Sequence, residues 1–149
     1  MKIFIGADYR GFELKKDIID FLVKSNYEVS DMGAYEAREG DDYNDPAIAV
    51  AKLVRKDLYS FGILICDSAH GMTIQANRFK GIRAAHCNNE ESARLAREHD
   101  DANVLCLSAH FLNADEAKGI VKAFLETNFS SLERRVRRIN RLDGRENYD

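Results

Sequence analysis

The sequence predicts an α/β protein, a three-layer α/β/α Rossmann-like sandwich around a five-stranded parallel sheet. Three observations carry this prediction. Short apolar runs alternate with amphipathic helical segments along the chain, the pattern of linked βαβ units. The most apolar run, Phe61–Cys66 (FGILIC), has no polar alternate positions, as a strand covered on both faces requires. The 149 residues, 45% hydrophobic and 32% charged, suffice for one domain with a sizeable core. No repeat, low-complexity tract or linker divides the chain.

Each element has a local reason. Lys2–Ala7 (KIFIGA) is a short apolar strand. Phe12–Val23 follows as a helix, with Leu14, Ile18, Phe21 and Leu22 on one face. Tyr27–Asp31 reads as the second strand. Asp45 is the candidate N-cap of a second helix, with Pro46 at its first position and Ala47–Lys56 as its body. After the Phe61–Cys66 strand come a short helix, Gly71–Phe79, and a fourth strand, Ile82–Cys87. Asn89–Glu98 reads as a helix and Asn103–Leu107 (NVLCL) as the fifth strand. Asn113 caps a helix running to Glu126, and Ser130–Leu142 forms a last, arginine-rich helix.

Composition narrows the function. The net charge of −3 argues against a nucleic-acid-binding protein, which would show a basic balance. The arginines at 134, 137, 138 and 141 fall on one helical stripe, better suited to an anionic substrate or a partner subunit. No stretch approaches the roughly 18 apolar residues of a membrane helix. The apolar start reaches Gly6 and Asp8 too soon for a signal peptide. Three cysteines, mainly inside apolar runs, suit reduced thiols, so a cytoplasmic location is expected.

In parallel sheets of this kind ligands bind beyond the carboxyl ends of the strands. That directs attention to Asp8–Gly11, Cys66–Gly71, Cys87–Asn89 and Ser108–His110. The most informative segment is Gly62–Ala84 (GILICDSAHGMTIQANRFKGIRA). There an apolar strand ends in Cys66, and a polar turn leads into a helix. Unpaired N–H groups at that helix start can favour a thiolate or hold a developing oxyanion. These are parts for proton abstraction next to a carbonyl. The other reading makes Cys66 a small buried hydrophobe. His86, Cys87 and Cys106 lie in strands and are read as core. No strong metal motif is present.

The same segment resembles the ribose-5-phosphate isomerase B and galactose-6-phosphate isomerase family, whose Cys-Gly-Thr-Gly-x-Gly stretch leads through Ala-Asn-Lys to Gly-Ile-Arg-Ala. Cys66, Ser68, Gly71, Ala76, Asn77 and Gly81–Ala84 match or nearly match. Gly6–Asp8 with Gly11–Lys15, Asp42–Asp45 and Ala96–Leu105 match three further motifs in order. The resemblance implies an aldose–ketose isomerase that works through an enediol without cofactor or metal. Cys66 would be the base, Ser68 its activating hydroxyl, and His99 the group that assists ring opening. Backbone amides of Ala69, His70, Gly71 and Met72 would hold the enediolate oxygen. Asp8 and Tyr43 would contact sugar hydroxyls. The family is dimeric or a dimer of dimers, so His99, Asp100 and His110 would reach the partner's Cys66.

The chain departs from that pattern in two places. The family anchors phosphate with a histidine that is Tyr9 here, an arginine that is His110, and a helix arginine that is Glu133; Arg137 stays, and Arg134 replaces a neighbouring histidine. Arg10, His110, Arg134 and Arg137 would rebuild an anion site, or the substrate lacks that phosphate. In the turn, two family glycines fall on Asp67 and Ala69, and His70 occupies the variable position. Asp67 would raise the Cys66 pKa and take up the left-handed conformation. His70 either offsets Asp67, adds an acid–base group, or points to solvent. A sugar-binding protein that lost turnover is the alternative to the enzyme.

Overall fold

The computed structural model describes residues 1–144. Its elements, in chain order, are β1 (Lys2–Ala7), α1 (Phe12–Lys24), β2 (Glu28–Asp31), α2 (Asn44–Lys56), β3 (Ser60–Cys66), α3 (His70–Ala76), β4 (Ala84–His86), α4 (Glu90–Asp100), β5 (Val104–Ser108), α5 (Ala114–Glu126) and α6 (Glu133–Asp143). The five strands form one parallel sheet in the order β2-β1-β3-β5-β4.

The apolar run at 61–66 is the central strand, as its composition requires. Ile63 and Ile65 face one side with α1, α4 and α5; Leu64 and Cys66 face the other with α2 and α3. Each Ile, Leu or Val removed from water here contributes about 1.5–3 kcal/mol, and the residues at 63–65 are fully buried. The strand order reverses between β1 and β3. Two connections leave in opposite directions there, which opens a crevice above the carboxyl ends of these strands.

Several boundaries differ from the sequence reading. The helix α2 begins at Asn44, its N-cap is Tyr43 with no side-chain cap, and Pro46 is the third helical residue rather than the first. Proline is tolerated there because first-turn N–H groups lack intrahelical partners anyway. The helix α3 starts at His70 and stops at Ala76, and β4 keeps three residues. β4 pairs with β5 only over Ala84–His86, and Asn77 covers its outer edge, donating to Ala84 O at 2.9 Å and accepting from Ala84 N at 2.8 Å. Asn89 stands outside α4 as its cap, in a reciprocal pair with Ser92; Asn113 and Glu116 do the same for α5. The last helix begins at Glu133, three residues later than read.

One buried cation shapes the segment after β2. Lys15 on α1 is fully buried, 2.7 Å from Asp31 Oδ1 and 2.5 Å from Ala34 O. A buried ammonium without such partners would be prohibitively costly. The pairing ties 31–35 against β1, where Gly33 and Ala34 exchange backbone hydrogen bonds with Ala7. Asp8 is the next residue.

Candidate active site

Cys66 is the last residue of β3 and is 4% exposed. Its neighbours across the sheet are Asp8, just past β1, and Ser108, the last residue of β5. Asp8 is buried at the crevice. Its N–H donates to Ile65 O at 3.2 Å, and its Oδ1 accepts from Gly11 N–H at 2.9 Å. Burial pushes its carboxyl above the ordinary range; the Gly11 and Arg10 N–H groups pull back, and Asp67 adds a further push. Gly11 is obligatory by contact: a Cβ there would lie 2.3 Å from Ile65 O.

The turn after Cys66 folds onto the sulfur. Ala69 N–H donates to Cys66 Sγ at 3.2 Å, and Met72 N–H also points at it. These two amides therefore serve the sulfur, a correction to the expectation that all of 69–72 face the substrate oxygen. Burial raises the thiol pKa most, and Asp8 and then Asp67 raise it further, while the two N–H groups lower it. The left-handed residue is Ala69, at φ +67°, not Asp67. An alanine there carries strain of about 1–2 kcal/mol that glycine would lack. Ala69 and Met72 are fully buried. The Ser68 hydroxyl accepts from His70 N–H at 3.4 Å.

Around this centre stands a polar rim. The Tyr43 ring lies on Gly71, so closely that a Cβ on Gly71 would sit 2.4 Å from Tyr43 Cζ. Arg10 is exposed, donates to Tyr9 Oη at 3.2 Å and lies over that ring. His110 Nδ1 is 3.6 Å from Asp67 Oδ1, and His110 N–H donates to Asp67 O at 3.0 Å. The partner of Asp67 is thus His110. His70 packs edge-on against His86, with ring centroids 5.3 Å apart. His86, expected as core, is half-buried. Its Nε2 is buried with no hydrogen-bond partner, and burial, then His70, lowers its pKa. Cys87 and Cys106 are core thiols, pushed by burial to about 11 and about 12.

The remaining predicted residues lie elsewhere in the chain. His99 and Asp100 end α4, four or five residues before β5 begins at Val104. They therefore stand at the amino ends of the strands, whereas Cys66 stands at a carboxyl end. At about 3.3 Å per residue, seven-residue β3 spans roughly 20 Å. Arg134 and Arg137 are exposed on α6, while Arg135 is turned inward and buried. The structure thus brings Asp8, Tyr9, Arg10, Tyr43, Cys66–Met72 and His110 to one side, and separates His99, Asp100, Arg134 and Arg137 from them; His110, expected to reach the partner's Cys66, lies instead beside Asp67 of its own chain.

The sequence reading gave no role to two contributors, although it placed Ser108 in a strand-end segment of interest. Ser108 is fully buried, and its hydroxyl donates to Asp67 O at 2.6 Å and accepts from Phe111 N–H at 3.3 Å, joining the ends of β3 and β5. Its position at a strand end was the available signal. Lys15 closes a matched family motif, but nothing signalled its burial, since a lysine on a helix reads as solvated. Among the described residues no helix is long and apolar enough to cross a membrane, and no group of three or more His, Cys, Asp or Glu could hold a metal ion.

Comparison with known proteins agrees with this geometry. The ribose/galactose isomerase family matches residues 3–142. Ribose-5-phosphate isomerase B of Escherichia coli K12 is 38% identical over 148 residues, covering 98% of this chain and 99% of that one. The crystal structure of a ribose 5-phosphate isomerase from Thermotoga maritima superposes with a TM-score of 0.91 at 42% identity, covering 95% and 97% of the two chains. Ribose-5-phosphate isomerase B from Mycoplasma genitalium, solved with bound ribulose 5-phosphate, gives 0.92 at 42% identity over 95% and 93%. A central parallel strand ending in a cysteine, a turn folded onto its sulfur, and these likenesses along nearly the whole length place the chain in the ribose/galactose isomerase family.

Proposed function

We propose that the protein interconverts ribose 5-phosphate and ribulose 5-phosphate through a cis-enediolate, with Cys66 as the base. The observation that carries this is the pair of amides, Ala69 and Met72, aimed at a sulfur at the carboxyl end of β3. In the open-chain aldose, the C2 hydrogen leaves as a proton to sulfur, and its electrons flow to the C1 oxygen. A proton returns from sulfur to C1, after exchange with solvent in part of the turnovers, the C2 hydroxyl loses its proton as the C2 carbonyl forms, and the C1 oxygen gains one. A base with a raised pKa is scarcer at neutral pH but stronger when present. The N–H groups keep some thiolate available against the fields of Asp8 and Asp67. Asp8 and Tyr43 contact sugar hydroxyls, and Ser68 assists the thiol.

His99 opens the furanose ring by moving a proton at the ring oxygen, a task suited to imidazole near neutral pH. Because Cys66 and His99 occupy opposite ends of one sheet, the complete site uses His99, Asp100, Arg134 and Arg137 of a second copy, in a homodimer or a dimer of dimers. The phosphate is met by Arg10 and His110 together with those arginines. Three buried thiols fit a reducing compartment, the cytoplasm.

Incubation with ribose 5-phosphate followed by NMR is expected to show ribulose 5-phosphate, with unphosphorylated ribose converted at least a hundredfold more slowly. Sugar binding that raises Tm without any turnover would replace the enzyme by a binding protein.

A further inference from the structure

We propose that Glu98 and Arg135 are positioning residues for His99, a reading that rests on the ring-opening role given to that histidine above. Glu98 and His99 are sequence neighbours on α4, and adjacent helical side chains do not face each other. Yet Glu98 Oε1 lies 3.6 Å from His99 Nε2.

The cause is Arg135. Its Nη1 donates to Glu98 Oε1 at 2.8 Å, to Glu98 O at 3.3 Å and to Ser130 Oγ at 2.7 Å. Ser130 N–H closes the unit by donating to Glu98 O at 3.2 Å. Arg135 is the one buried side chain among the described residues of α6, a helix whose other arginines face outward. Its side chain is 11% exposed. A cation is retained there only where a fixed anion and carbonyls satisfy it. The same guanidinium keeps the Glu98 carboxyl below the usual range, with the His99 charge adding to the effect.

A fixed, charged carboxylate beside Nε2 does two things to the imidazole. It favours the tautomer with the proton on Nε2, which leaves Nδ1 as the lone-pair nitrogen. It also selects among rotamers of a side chain that is otherwise 41% exposed at a helix end. The preceding residue, Arg97, secures the turn from behind, donating to Asp101 Oδ1 at 2.8 Å and Ala102 O at 2.7 Å. The end of α4 and the start of α6 therefore form one rigid part that presents His99.

A plain staple between two helices would look similar, but it predicts different kinetics. Opening the aldose breaks the C1–O4 bond, its electrons going to O4, which takes a proton while the C1 hydroxyl loses one. Ribulose 5-phosphate has no such step, because its C5 oxygen carries the phosphate and the ketose stays open-chain. Deuterium entry at C1 of ribulose 5-phosphate in D2O thus reads the Cys66 chemistry alone.

In the full chain, Glu98→Gln keeps the shape of the side chain but takes the anion from the buried Arg135 guanidinium, so Tm is expected to fall, and the kinetics are read below the variant's own Tm. The kcat from ribose 5-phosphate should fall at least tenfold with KM within twofold, while C1 deuterium entry stays within twofold. Arg135→Gln should repeat the pattern, and Arg135→Lys should recover part of the loss. Equal slowing of both readouts by Glu98→Gln, or slowing of neither, overturns the proposal. His99→Asn calibrates it. If His99→Asn is selective for ring opening and Glu98→Gln is not, only the positioning role fails. If His99→Asn slows both equally, the ring-opening role fails and this proposal with it.

Discussion

At the scale of single residues, the balance of charge around one sulfur decides behaviour. Burial, Asp8 and Asp67 all raise the Cys66 pKa, so turnover is expected to climb with pH beyond the ordinary thiol value of 9.0. Asp67→Asn should move that rise only slightly to lower pH, because Asp67 is exposed and screened; an unmoved profile would remove its influence. Asp8 has the opposite balance of stability and function. Its folded pKa is raised above 3.8, so the native state holds that proton more tightly than the unfolded chain does. The associated stability is present below 3.8 and is lost as pH rises through the folded value. Asp8→Asn should therefore raise Tm at neutral pH while cutting kcat more than tenfold. The placement of Cys66, Asp8 and the 66–71 turn at strand ends was legible from the alternating pattern, whereas their roles came from the family resemblance. The partners of His70 and Asp67 were not legible, since which imidazole meets which carboxylate depends on how α3, β4 and the end of β5 converge.

At the scale of elements, the strands and most helices followed from apolar periodicity, and the errors fell at the ends. The helix α2 starts at Asn44 without a side-chain cap, while the outer edge of β4 and the start of α4 are held by Asn77 and the Asn89–Ser92 pair. Such side-chain–backbone contacts leave no periodic trace. Lys15 went unseen for the same reason: α1 is read as amphipathic, and a buried ammonium needs Asp31 and Ala34 O from another element to become intelligible. Two glycines make the element-scale prediction. Gly11→Ala would force a methyl against backbone at 2.3 Å, which cannot yield, so a loss of about 1–3 kcal/mol in denaturant unfolding is expected. Gly71→Ala meets only the half-exposed Tyr43 ring, which can swing away. KM should rise severalfold there with Tm nearly unchanged, and a Gly71→Ala variant with wild-type KM would dissociate Tyr43 from substrate binding.

At the scale of the whole molecule, the sheet sets a constraint that no side-chain movement relieves: one chain holds Cys66 and His99 at opposite ends of its strands. Sequence patterning gave the parallel sheet and the resemblance gave the second copy, while the separation became visible only with the strand order. Mixing inactive Cys66→Ala and His99→Asn chains should restore up to about a quarter of wild-type activity per site if chains exchange at random, and no recovery would confine each site to a single chain. The central claim is more direct than its assembly: Cys66 carries hydrogen between C1 and C2. The measurement that tests it is deuterium incorporation at C1 of ribulose 5-phosphate in D2O by Cys66→Ala, alongside its Tm. A folded variant with exchange reduced at least a thousandfold is the predicted result; exchange at the wild-type rate would contradict it.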